Sequence, residues 1–184
     1  MRLKRSFLKS ISAVFIILIC LLVSCSHNKR SNNKEVLVLP RDTVGLVVKI
    51  VDGDTYDILV DKKTYRIRMN GIDAPERGQP YYQKAKDYLG SLCFQRNIKV
   101  VKIDVDRHDR TIAESLLDDS INLSYEMVKA GFAWHYKQYS SDQNLADLEN
   151  NARKNRLGLW GDDNPKPPWE IRAHRRSGKK DSEE

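Results

Sequence analysis

From Val44 to Ile72 the chain reads as strand and turn almost without a break, and this stretch limits the fold more than any other. "VGLVVKIVDGDTYDILV" (Val44–Val60) is rich in β-branched residues but is interrupted at Asp52-Gly53-Asp54. It forms two strands, or one strand bent where glycine permits a turn or bulge. "DKK" (Asp61–Lys63) suits a hairpin tip. In "TYRIRMNGI" (Thr64–Ile72), Tyr65, Ile67 and Met69 alternate with Arg66, Arg68 and Asn70. Period two predicts a strand with Arg68 on the face opposite the apolar one.

Downstream the period changes. Ala85, Tyr88, Leu89 and Leu92 recur at helical spacing within Gln79–Phe94. "NIKVVKIDV" (Asn97–Val105) and "TIAESLL" (Thr111–Leu117) return to strand character, with "DDS" (Asp118–Ser120) as a turn. Asn122 can cap a helix over Leu123–Ala130 that Gly131 ends. A third helix fits Asp142–Leu157, with Ser140 and Gln143 at capping-box spacing and Gly158 as its stop. "NPKPPWEIR" (Asn164–Arg172) reads as extended, and "AHRRSGKKDSEE" as a frayed tail. Strands with little βαβ alternation favour an α+β class that is mainly β: an antiparallel barrel with about three helices at its edge. A five-stranded OB-type barrel is the small version that binds nucleic acids, but pattern alone leaves it one of several solutions.

The first residues belong to no barrel. Arg2, Lys4, Arg5 and Lys9 precede the apolar run "ISAVFIILICLLV" (Ile11–Val23), and "LVSC" ends at Cys25. Charged, apolar and small-residue zones in that order predict a secretory signal over residues 1–24. "LVSC" resembles a bacterial lipobox, whose cysteine is lipidated. A transmembrane anchor is the alternative, but a full span asks for about 20 apolar residues. Either way the expectation is an exported chain held at a membrane on its non-cytoplasmic side. Residues 25–41 read as a tether, 42–172 as the folded domain and 173–184 as a disordered tail. Beyond this leader, Cys93 is the remaining thiol, so no internal disulfide framework is expected. Of 32 basic residues four lie in the leader, leaving 28 against 25 acidic ones, a balance compatible with a polyanionic substrate or with an ordinary soluble surface.

The chemistry concentrates in "RMNGIDAPERGQPYYQKA" (Arg68–Ala85), where Pro75 separates Asp73 from Glu76 and opposes a helix. Asp54 lies in another turn, and Arg110 ends the charged loop "DRHDR" (Asp106–Arg110). Singly each has an ordinary explanation: an aspartate bracing its own turn, a surface ion pair, a solvated loop. As an ordered set they supply what phosphodiester hydrolysis needs. Carboxylates from separate turns can hold a hard divalent cation. A further carboxylate can take a proton from water, and guanidinium forks match phosphate oxygens.

"VDGDTYDI … YRIRMNGIDAPERGQPY … DRHDRTIA … NLSYEMVKAGFAWHY … ARKNRLGLW" resembles the thermonuclease family, the staphylococcal nuclease homologues, from about Val47 to Trp160. The resemblance implies an OB-fold barrel and calcium-dependent cleavage of DNA and RNA that leaves a 3′ phosphate. It implies that Asp54, Asp73 and the Ala74 backbone carbonyl ligate Ca2+. Glu76 would be the general base, and Arg68 and Arg110 the catalytic arginines. Tyr136 and Tyr139 resemble substrate-lining tyrosines, with core or rim aromatics as the equal alternative. One departure stands out: the family's Tyr-Gly-Arg is here His108-Asp109-Arg110. Asp109 adds negative charge near the expected phosphate, which weakens binding unless it points away or joins the metal shell. A monomer suffices for this chemistry. The rival readings are a catalytically silent nucleic-acid-binding lipoprotein with the same barrel, and a structural lipoprotein that binds a protein partner.

Overall fold

The computed structural model describes residues 39–180; the expected signal and most of the expected tether lie outside the described residues. Strands β1 (Asp42–Ile50), β2 (Thr55–Val60) and β3 (Lys63–Met69) form the antiparallel meander expected of the Val44–Ile72 stretch. Tyr65, Ile67 and Met69 face inward, with Ile67 and Met69 fully buried. After the short β4 (Ile72–Asp73) and helix α1 (Tyr82–Cys93), strands β5 (Asn97–Val105) and β6 (Thr111–Leu117) extend the sheet from β1. β6 then returns beside β3 in parallel, pairing Ile67 with Thr111 and Met69 with Ala113. That contact closes the barrel β3-β2-β1-β5-β6. Closure removes the two open edges that would template aggregation, and it sets the 106–110 loop beside β3.

Val47, Tyr56, Ile58, Ile67, Met69, Ile98 and Val100 fill the barrel. The Tyr56 hydroxyl donates to Ser115 Oγ at 2.7 Å, so the buried phenol is satisfied. α1 seals one side through Ala85, Leu89 and Cys93. Strand β7 (Ile121–Asn122) leads into α2 (Leu123–Lys129), where the Asn122 side chain accepts from Ser124 N and Tyr125 N as its cap. Strand β8 (Trp134–His135) pairs with β4, setting Trp134 against Asp73. Helix α3 (Gln143–Lys154), a 3-10 turn (Gly158–Gly161) and α4 (Pro168–Lys180) complete the domain.

Four details depart from the sequence reading. Leu39 is 1% exposed in the core, and Thr43 Oγ1 donates to the Pro40 carbonyl, so residues 39–41 belong to the barrel and not to a tether. Asp142, not Ser140, caps α3 by accepting from Asn144 N at 2.8 Å; Ser140 Oγ is engaged with His135 Nε2 instead. α3 ends at Lys154, three residues before Leu157, because Arg156 takes a left-handed φ of 52°. The expected extended segment and frayed tail are in large part a fourth helix, from Pro168 to Lys180. Pro168 stands at its first position, where the missing N–H costs nothing and φ is already helical.

Candidate active site

Asp54 enters the site because Gly53 lets the turn pack tightly. A Cβ on Gly53 would lie 2.8 Å from both Ala74 Cβ and Ala85 Cβ. The buried Asp54 carboxylate accepts from Ala74 N at 2.7 Å and from Thr55 Oγ1 at 2.9 Å. Thus the turn before β2 is clamped to the bend after β4. Asp73, also buried, is fixed from the other side by the β4–β8 pairing. Arg68 projects from β3 between the two: its Nη2 is 3.2 Å from Asp54 Oδ2 and 3.1 Å from Asp73 Oδ1, while Nη1 donates to the Met69 carbonyl at 2.8 Å. Asp54, Arg68 and Asp73 therefore meet, with the Ala74 backbone between them and Glu76 just beyond Pro75.

Glu76 is held by its own bend. Its N–H donates to Gln79 Oε1 and its carbonyl accepts from Gln79 N, both at 2.8 Å. Its carboxylate is half-buried and faces α4. Arg172 Nη1 donates to Glu76 Oε1 at 2.7 Å and Arg175 Nη1 to Oε2 at 3.3 Å. Arg172 Nη2 also donates to Asp73 Oδ2 at 2.7 Å. Neither arginine was foreseen from sequence. The available signal was the three-residue spacing of Trp169, Arg172 and Arg175, one face of a helix that begins at Pro168.

Arg110 is drawn elsewhere. Its Nε and Nη2 both reach Asp106 Oδ2 at 2.7 Å, and its backbone N–H donates to Asp106 Oδ1. It stands one residue before β6 and does not join the Asp54–Asp73–Glu76 carboxylates. Asp109 adopts φ of 60° in this loop and donates its N–H to the Asp106 carbonyl. His108 Nε2 accepts from Arg107 Nε. Tyr136 stacks on Trp169, with centroids 5.1 Å apart and planes within 3°, and it meets Tyr139 edge-on at 4.8 Å. Tyr136 thus lines the site's flank, whereas Tyr139 is largely exposed.

The electrostatics follow from burial. Loss of solvation pushes the Asp73 carboxyl above the ordinary carboxylate range, against the pull of Arg172 and Arg68, and the Asp54 charge adds to the rise. Burial, then the charge of Asp54, pushes Asp52 up to about 7. Burial alone would weaken the Arg172 charge, but its hydrogen bonds to Asp73 and Glu76 raise its pKa above the ordinary arginine value. Around Asp106, burial is outweighed by bonds from Arg110 and His108, which hold its carboxyl low.

Among the described residues, no group of three or more His, Cys, Asp or Glu side chains is arranged to hold a metal ion. What the site offers is two buried, mutually repelling carboxylates, oxygen donors throughout, sharing one guanidinium nitrogen. That donor chemistry fits a hard divalent cation, with water completing its shell.

The chain is similar to known nucleases in sequence. Residues 66–162 match the family model described as "Staphylococcal nuclease homologue". An "Uncharacterized endonuclease" of Escherichia coli O157:H7 is 40% identical over 139 residues, covering 76% of this chain and 90% of that protein. A "Micrococcal nuclease" of Shigella flexneri is 38% identical over 141 residues, covering 71% and 81%. An "Uncharacterized endonuclease" of Haemophilus influenzae is 42% identical over 127 residues, covering 68% and 71%. With that match over more than half its length, on a closed barrel that gathers Asp54, Arg68 and Asp73, the chain belongs to the staphylococcal nuclease homologue family.

Proposed function

We propose that the chain is a calcium-dependent endonuclease that hydrolyses DNA and RNA and leaves 3′-phosphate ends. The observation that carries the proposal is the convergence of Asp54 and Asp73 on Arg68 Nη2, at 3.2 and 3.1 Å, with Glu76 on the same bend. Asp54, Asp73 and the Ala74 carbonyl would hold the cation. When bound, a cation of this kind polarises a phosphoryl oxygen and orients water. Glu76 accepts the proton of the attacking water, in this reading, and Gln79 keeps the bend that aims it. Arg68, anchored on the Met69 carbonyl, presents its guanidinium to charge building at phosphorus. Arg110 would turn from Asp106 to the phosphate, an exchange of one anion for another. Tyr136 offers a ring face to a base or sugar. Asp109 adds a carboxylate to the same loop as Arg110, and it weakens phosphate binding there unless it points away or joins the cation's shell.

The proposal extends to location: cleavage after the leader exposes Cys25 for lipidation, and the domain works outside the cytoplasm as a monomer on a membrane. Loss of a labelled acyl chain on Cys25→Ala checks this arm. For the reaction itself, purified chain is incubated with plasmid and with single-stranded RNA, with calcium or with chelator, and the product ends are tested. Cleavage that requires calcium and gives 3′ ends resistant to extension until a phosphatase acts is expected. Cleavage in chelator, or 5′-phosphate products, would refute it. A second reading, a silent nucleic-acid-binding barrel, draws on the arginines that already occupy Asp73 and Glu76. Salt-sensitive binding without cleavage under any divalent ion would establish it.

A further inference from the structure

α4 covers the candidate site with unusual completeness. All four carboxylate oxygens of Asp73 and Glu76 accept from it: Asp73 Oδ1 from Arg172 Nη1 at 3.3 Å, Asp73 Oδ2 from Arg172 Nη2 at 2.7 Å, Glu76 Oε1 from Arg172 Nη1 at 2.7 Å, and Glu76 Oε2 from Arg175 Nη1 at 3.3 Å. The same helix lays Trp169 flat on Tyr136. Asp54, Asp73 and Glu76 bring three negative charges and Arg68 one positive; the two α4 arginines bring the balance to zero. With those two removed, two negative charges remain, the charge a dication neutralises.

We propose that α4 is a displaceable cover, in which Arg172 and Arg175 substitute for the divalent cation and Trp169 shields Tyr136 until nucleic acid arrives. The inference rests on the reading of Asp54, Asp73 and Glu76 as the cation and proton-transfer site. The helix is suited to lifting. Pro168, Trp169, Ile171 and Arg172 are the residues that lean on the body, while residues 173–178 are exposed, so few apolar contacts hold it. A polyanion offers its arginines an equivalent partner, because phosphate oxygens accept guanidinium forks as carboxylates do. Strand and cation then bind cooperatively: phosphates draw off the arginines, and the released carboxylates take the cation. By linkage, each raises the affinity of the other by the same factor.

The test is calorimetric titration of calcium chloride into the purified full chain and three variants, each first shown to fold by its thermal melt. The variants are R172Q/R175Q, Trp169→Ala and Asp73→Asn. The double variant is expected to bind calcium at least about tenfold more tightly than the parent, since removing two nearby positive charges outweighs solvent screening. Trp169→Ala is expected to tighten binding as well, although it leaves the site's charge untouched. Asp73→Asn is expected to abolish the signal. Hydrogen exchange of the amides at 169–178 should quicken when calcium saturates the parent. If Asp73→Asn binds like the parent, calcium goes elsewhere, and both the site reading and the cover fall. If Asp73→Asn abolishes binding while R172Q/R175Q and Trp169→Ala match the parent, the site stands and the cover alone is overturned. Unchanged exchange at saturation overturns the cover too.

Discussion

Replacing Arg68 by alanine removes the one nitrogen that lies 3.2 Å from Asp54 and 3.1 Å from Asp73. Both carboxylates are buried, and the Arg68 side chain is itself only 12% exposed. Breaking a buried pair by deleting one partner costs about 3–5 kcal/mol. Arg172 still touches Asp73, and water can enter the vacated space, so roughly 2–4 kcal/mol is a fair discount. At ~2–4 °C per kcal/mol for a domain of this size, the melting temperature should fall by roughly 5–15 °C at neutral pH. The loss carries its own signature. Asp73 already has a carboxyl pKa above the ordinary range, and removing Arg68 lifts it further. The penalty is therefore present while the carboxylates are charged and shrinks as pH falls through the folded-state pKa. Calcium should also restore more stability to the variant than to the parent, because it replaces the missing positive charge. Melting curves from pH 4 to pH 8, with calcium and with chelator, read all three effects. A shift below ~2 °C, or one independent of both pH and calcium, would refute the coupling of the two acids through Arg68.

Three further outcomes test the surroundings. Gly131 has φ of 74°, and a Cβ there would sit 2.2 Å from the Leu157 carbonyl, so Gly131→Ala should cost about 2–4 kcal/mol by urea unfolding; a loss under ~1 kcal/mol would mean the α2–α3 junction yields easily. Burial pushes the Cys93 thiol up to about 12, so alkylation at pH 8 mapped by mass spectrometry should spare Cys93 until the chain unfolds. Asp52 has a folded pKa of about 7 against an ordinary 3.8, so its charge costs stability increasingly from pH 4 through 7 and nothing below that window. Asp52→Asn should accordingly stabilise at pH 8 and be neutral near pH 4, and an equal effect at both would contradict the burial argument.

How far the sequence reveals this molecule depends on whether an element is specified locally. β1 and β3 are legible because each buries one face, and alternation reports that directly, whereas β2, buried from Thr55 to Ile58, is legible through its β-forming residues and the turns that bound it. Barrel closure is not, because the pairing of Ile67 with Thr111 joins residues far apart in sequence. β4 and β8 are two residues each, too short to carry a period, yet their pairing fixes Asp73. α4 is hidden in the sequence because Pro167-Pro168 suggests extended chain and Trp169 and Ile171 are the large apolar side chains of a run that is mostly charged after Ala173. The acids and Arg68 are legible as an ordered set through the resemblance of their motifs to the family's, whereas the capture of Arg110 by Asp106 and of Glu76 by Arg172 depends on side-chain partners that no motif specifies.

The central claim is that Glu76 moves a proton at a cation site built on Asp54 and Asp73, and single-turnover cleavage tests it most directly. Parent chain and Glu76→Gln are mixed in excess with labelled single-stranded DNA across a calcium titration. The account predicts cleavage by the parent that vanishes in chelator, with Glu76→Gln slower by ~100-fold or more, the usual scale for losing a positioned general base. A Glu76→Gln rate within a few-fold of the parent's at saturating calcium, or cleavage that survives chelation, would contradict it.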